Sequence, residues 1–205
     1  MDFITIILLA IVLVISIWFH EYAHAIVSYK LGDPTPKIQW RLTPNPLKHL
    51  DPIGFLMIFL IHFGWWKPVE VNPMYYKNKL RDELLVALAG PFTNFLIAFI
   101  WGFIYILFSK LNLLDPLVSE FLNLLIIINI ALAVFNLLPI YPLDWYRIIK
   151  FLKPSWWYFM EKNALYFTIL LFLLVFLPWN LVWKIIDSVV TPIYNLIIFI
   201  WASLL

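Results

Sequence analysis

Residues Phe3 to Tyr29 read FITIILLAIVLVISIWFHEYAHAIVSY. The stretch is apolar and long enough to cross a bilayer as a helix, which takes about 20 residues. Near its end it carries His20-Glu21-Tyr22-Ala23-His24, an HExxH pattern. In water that pattern marks a zinc hydrolase with modest specificity. Within a membrane helix it says more. Ionisable groups among acyl chains are costly and need a compensating role, such as binding a metal. The segment has no basic start and no small-residue cleavage site, so it is expected to be retained rather than removed as a leader.

The rest of the chain has the same character. Of 205 residues, 64% are hydrophobic and 13% charged, and the mean hydropathy is +0.91. A soluble domain of this length could not hide so much apolar surface. The net charge of +2 leaves no footprint for nucleic acid. There are no cysteines, which removes disulfides and thiolate metal sites. Eleven Trp and ten Tyr suit a protein with two membrane interfaces. The expected fold is an all-α, polytopic membrane protein forming one domain over 1–205. Its core, 1–150, holds the candidate metal site, and 151–205 adds further membrane helices.

About five transmembrane helices are expected. They cover Phe3 to Tyr29, Leu84 to Phe108, Leu117 to Leu138, Asn163 to Leu177 with an apolar extension to Trp183, and Val189 to Leu205. Pro52 to Phe63 is apolar but only about a dozen residues long, which fits a re-entrant segment better than a span. Lys30, Lys37, Arg41 and Lys48 precede it, and Lys67, Lys77, Lys79 and Arg81 follow it. Basic residues on both flanks place both in the cytoplasm, so the short piece should dip in and return. Gly54 and Gly64 are expected to permit turns around it. Later loops alternate in basic content, which puts the N-terminus outside and the C-terminus inside. Lys37 to Leu42 alternates polar and apolar residues, which predicts a small cytoplasmic strand or hairpin.

His20 and His24 are four apart, so they leave one face of a helix about one turn from each other. Two imidazoles so placed can bind one Zn²⁺, and a catalytic zinc needs a third protein ligand and an open position. Asp144 is the best candidate. It ends the run Phe135 to Asp144, in which Pro139 and Pro142 break regular helix. The first and third spans both run inward, so Asp144 and the two histidines are expected at similar depth. Glu21 projects about 100° away from His20 and suits general-base chemistry on a water activated by the metal. In Leu88-Ala89-Gly90-Pro91-Phe92-Thr93-Asn94, the small residues allow close helix approach. Asn94 and Asn136 are candidates for orienting a substrate carbonyl or a developing oxyanion, or for plain interhelical bonding. His49 is expected in a surface or structural role, and His62 is assigned none.

Together these motifs resemble the site-2 protease family of intramembrane zinc metalloproteases, in the prokaryotic branch that lacks a PDZ domain. HEYAHA resembles its HExxHA signature. NPLKHLDPIG, FGWWKPVEVNP and AGPFTNFLIA look like its conserved blocks, and FNLLPIYPLDWYRI resembles its NLLPIPPLDGGR element. The resemblance covers about residues 10 to 150. It implies that His20, His24 and Asp144 bind one zinc, with Glu21 as the general base. It further implies membrane-embedded substrates, a multi-pass location in the cell membrane of a prokaryote, and an active site toward the cytoplasm. Trp145-Tyr146 stand where the family usually has Gly-Gly, and Tyr141 stands where it often has Pro. That departure motivates a second reading, a zinc-binding pseudoprotease that scaffolds membrane proteins. A metal transporter is a third, because buried ionisable groups also mark ion pathways. A transporter would more naturally show an inverted repeat, and none is visible.

Overall fold

Helix α1 spans Phe3–Lys30 and has 28 residues, about 42 Å at 1.5 Å per residue. This length is seen in the computed structural model, which describes residues 3–43, 45–61, 64, 66–176 and 181–205. After α1 come α2 (Thr35–Ile38), α3 (Pro52–Ile61), α4 (Lys79–Lys110) and α5 (Pro116–Asn136). The chain then forms α6 (Asp144–Leu152), α7 (Pro154–Lys162), α8 (Ala164–Phe176) and α9 (Leu181–Leu204). His62, Phe63 and residues 177–180, which take in the end of the expected fourth span and part of its apolar extension, lie outside the described residues.

Local chemistry sets the ends of the long helices. The Asn78 side chain caps α4 by accepting from Arg81 N, and the Asp82 carboxylate accepts from Asn78 N. Asp115 caps α5 through Val118 N, with Pro116 at the first helical position, where its missing N–H costs nothing. Helices α1, α4, α5 and α9 are each long and apolar enough to cross a membrane. Helices α7 and α8 meet at 83°, and α8 has only 13 residues, so among the described residues spans number four, or five if that pair crosses. Helix α4 sits at the centre, packed on α1, α5, α6 and α9. Ala98, Ile126, Ile130, Ile186, Val190 and Ile197 form its core with α5 and α9. A Cβ at Gly102 would stand 2.4 Å from the Ile197 side chain, so glycine lets α4 and α9 meet. The outer faces expose Ile4, Ile7 and Ile11 on α1 and Phe92, Leu96 and Ile100 on α4. Continuous apolar surface of this extent belongs in lipid. The protein is a multi-pass membrane protein.

The short segment α3 has 10 residues, about 15 Å, half the hydrocarbon thickness. Asp51 Oδ1 caps it by accepting from the amides of Ile53 and Gly54. Its two flanks come back together. Leu50 and Trp66 form an isolated antiparallel bridge, and Lys67 N donates to His49 O at 3.1 Å. The segment therefore returns to the level at which it left. Gly54 is helical, and a Cβ on Gly64 would lie 2.4 Å from its carbonyl oxygen. Close approach to the Gly54 carbonyl explains Gly64, while Gly54 lies inside α3 and marks no turn.

Two expectations need correction. Lys37 to Leu42 is no strand: Thr35–Ile38 is a helical turn, and Trp40 takes φ 58° beyond it. Pro36 lies in the first turn, where proline is preorganised for helix, and this outweighs six residues of alternation. Ile38 and Trp40 are both exposed, so the alternation marks no buried face. Among the described residues there is no strand. The last span is also longer than expected, because α9 starts at Leu181 and takes in Lys184 and Asp187.

A polar cluster ties the end of α1 to the chain before α4. Asp33 Oδ2 accepts from Ser28 Oγ at 2.8 Å and Asn72 N at 2.7 Å, while Oδ1 accepts from Thr35 N at 2.9 Å. Burial pushes the Asp33 carboxyl up, but bonds from Thr35, Asn72 and Ser28 together hold it below the usual carboxylate range. A depressed carboxyl stabilises the fold above its unfolded pKa of about 3.9 and loses that effect as pH falls through its folded value. Asp33→Asn is therefore expected to cost about 2 kcal/mol at pH 7. The difference from wild type in thermal unfolding in detergent should shrink below about pH 3.9. A difference that stays constant with pH would refute this role.

Candidate metal centre

The helical spacing of the motif puts His20 and His24 on the buried side of α1, 5% and 4% exposed. Each ring is oriented through Nδ1. His20 Nδ1 donates to Asn94 Oδ1 at 2.6 Å, and His24 Nδ1 donates to Val86 O at 2.7 Å. Both acceptors lie on α4. The direction of the first bond is set further away. Asn129 Nδ2 donates to its own helix at Leu125 O and to Ser16 Oγ, both at 2.8 Å. Asn129 Oδ1 must then accept from Asn94 Nδ2 at 2.8 Å, which turns Asn94 Oδ1 toward His20. Backbone carbonyls thus fix a proton on each Nδ1 and leave a lone pair on each Nε2.

Those two Nε2 atoms face each other at 3.0 Å. Asp144 Oδ2 completes the triangle, 3.1 Å from His20 Nε2 and 3.2 Å from His24 Nε2. That oxygen is buried and has no hydrogen-bond donor among the described residues. Three electron-pair donors turned toward one point call for a cation. Ligands about 2.0–2.2 Å from a tetrahedral zinc lie roughly 3.3 Å apart, close to the spacing seen. Among the described residues, His20, His24 and Asp144 are the cluster that could hold a metal ion.

Asp144 is the first residue of α6, after irregular chain from Leu137 to Leu143. Trp145 and Tyr146 follow within its first turn, and neither has a positive φ. The aromatic pair leaves the carboxylate in reach of both histidines. Gly90 secures the other side. A Cβ there would lie 2.4 Å from His24 Nε2 and 2.5 Å from His20 Cε1. The α4 backbone rests directly on both rings, which no other residue type permits.

A cavity of about 690 Å³ opens beside the cluster. Leu9, Leu13, Ile17 and Glu21 line it at four-residue steps along α1, a stripe about 18 Å long. Helix α5 contributes Ile128 and Asn136, the α5–α6 connection Tyr141, α6 Tyr146 and Arg147, and α8 Phe172. Glu21 stands at the polar end beside His20, and its Oε2 accepts from Val69 N at 2.9 Å.

The two asparagines separate. Asn94 is fully buried and fully engaged, with Nδ2 also donating to Ser16 O at 3.2 Å, so it holds His20 and does not face the cavity. Asn136 does line the cavity, with Nδ2 donating to Leu132 O at 2.9 Å. His49 is 2% exposed, buried and not on the surface, and burial pushes its imidazole below the usual value. Sequence reasoning missed Asn129, Ser16 and the Val69 amide. Asn129 carried a readable signal, a single amide inside the apolar run Leu124 to Ala133. The Val69 amide carried none.

Comparison with known proteins points the same way. Residues 8–118 match Peptidase family M50. YwhC of Bacillus subtilis, named as a zinc metalloprotease, is 44% identical over 151 residues, 71% of this chain and 69% of that protein. Rip2 of Mycobacterium tuberculosis, named likewise, is 28% identical over 151 residues, 69% of this chain and 56% of its own length. MJ0611 of Methanocaldococcus jannaschii, also so named, is 30% identical over 141 residues, 68% of this chain and 66% of that protein. No solved structure matches the chain. With that match over 8–118 and the identity to YwhC, a resemblance between motifs becomes membership: the chain belongs to peptidase family M50, the site-2 proteases, and is a zinc metalloprotease.

Proposed function

We propose that this protein is an intramembrane endopeptidase that hydrolyses peptide bonds of membrane-embedded protein substrates. The observation that carries the reading is the meeting of an electron-donor triangle with an apolar cavity at Glu21. His20, His24 and Asp144 would hold one zinc, which supplies Lewis-acid polarisation and acidifies water when bound. Glu21 takes the proton of the water that adds to the substrate carbonyl, then delivers it to the leaving amide nitrogen. The Val69 amide holds one Glu21 oxygen in place. Asn136 uses one Nδ2 hydrogen on Leu132 O, and its second is free to bind the substrate carbonyl. Asn94 acts through His20 as a positioning residue.

The stripe from Leu9 to Glu21 suits an apolar substrate segment entering from the lipid. Basic residues on both sides of α3, joined by the Leu50–Trp66 bridge, support a catalytic end toward the cytoplasm. Residues 1–150 carry the chemistry, and 151–205 supply α8 as a cavity wall and α9 as packing for α4 and α5, within one integral-membrane unit.

The test is cleavage of a single-span model substrate in proteoliposomes. The zinc-loaded protein is expected to cut within or beside the apolar stretch. A chelator should abolish cleavage, and added zinc should restore it. Zinc-loaded protein that never cuts would favour a scaffold instead.

A further inference from the structure

The cavity holds one charge that the proposed chemistry does not use. Arg147 lines it together with Glu21 and Tyr146. It follows Asp144 by three residues on α6, so both leave the same side of the helix one turn apart. Arg147 thus lines the cavity one helical turn from Asp144.

No carboxylate neutralises it. Among the described residues Arg147 forms no ion pair. Nearby acidic groups are engaged elsewhere. Glu83 bonds Lys150 at 2.7 Å, and Asp33 accepts from Ser28, Asn72 and Thr35. Glu21 accepts from Val69 N, and Asp144 faces the histidine pair. Asp33, Glu83 and Arg147 all act electrostatically on the Tyr76 hydroxyl, and both of these anions pair with other groups. Lys150, one turn further along α6, has both an anion and the Trp157 ring as partners. Arg147 alone on this helix face keeps its charge for something that enters.

The remaining lining says what enters. Leu9, Leu13 and Ile17 take an apolar segment, while the polar end presents a planar donor fork suited to a carboxylate. We propose that Arg147 is a specificity-determining residue that binds an acidic side chain of the substrate, next to its apolar segment at the catalytic end. This rests on the protease reading above and adds a substrate preference to it. Cytoplasmic flanks of membrane segments are usually basic, so the contact would select a minority of them.

The experiment uses the full chain, zinc-loaded, in proteoliposomes. Three single-span substrates differ only by Glu, Gln or Lys at the residue flanking the apolar stretch. Wild type is expected to favour Glu over Lys in kcat/KM by about 10- to 100-fold, the value of a charge-assisted bond. Arg147→Lys should keep the direction of that preference at reduced size, because the charge stays and the planar fork is lost, Arg147→Gln should bring the Glu:Lys ratio near one, and Arg147→Glu should invert it. Zinc content, measured alongside, reports folding. Equal losses on all three substrates, or a Glu:Lys ratio unmoved by Arg147→Gln, would overturn the assignment. Zinc-loaded wild type that cuts none of the three would instead overturn the protease reading, and this inference with it.

Discussion

Glu21→Gln is expected to lower proteolysis roughly 10²- to 10⁴-fold, the usual worth of a positioned general base, with one zinc per chain retained. Shape is conserved, so the Gln carbonyl can still accept from Val69 N, as Glu21 Oε2 does. The ligand triangle of His20, His24 and Asp144 does not include residue 21. What is lost is the capacity to take a proton. Single-turnover cleavage with zinc analysis on the same sample separates the two. Activity within tenfold of wild type would move the base elsewhere, and loss of zinc would make Glu21 part of the metal's environment.

Asp144→Ala has the other large effect. It removes the third donor, leaving the two Nε2 lone pairs facing each other at 3.0 Å. Zinc should bind more than about 100-fold more weakly, exceeding the 10- to 100-fold typical of residues one shell out, and cleavage should fall to background. Asn94→Ala sets the comparison, because Asn94 only orients His20. If Asp144→Ala kept zinc as tightly as Asn94→Ala, the carboxylate would leave the ligand set.

The histidine half of this centre could be read in the chain because its spacing is local. Four-residue spacing places His20 and His24 on one face whatever surrounds them, and burial in an apolar helix demanded a role for both. Asp144 was legible because few carboxylates sit near membrane depth. Tertiary facts were not legible. Asn94 and Asn136 look alike in sequence, yet one is locked behind His20 and the other faces the cavity. The orientation of Asn94 depends on Asn129, whose bond to Leu125 O orders that relay. Lys37 to Leu42 misled because alternation over six residues is weak beside the helical turn that Pro34 and Pro36 open. The start of α9 was hidden because Lys184 and Asp187 looked like loop residues. Charge is tolerated at the end of a membrane helix.

Biogenesis inherits an order from Gly90. With the α4 backbone pressed on both imidazoles, the pair is aligned only once the first and fourth helices have associated in the bilayer. Asp144 arrives later in synthesis, more than 50 residues down the chain. An ion reaching the nascent protein early would meet two donors, not three. Metal loading is thereby tied to completion of the fold, and a half-made chain is kept from acting as a protease.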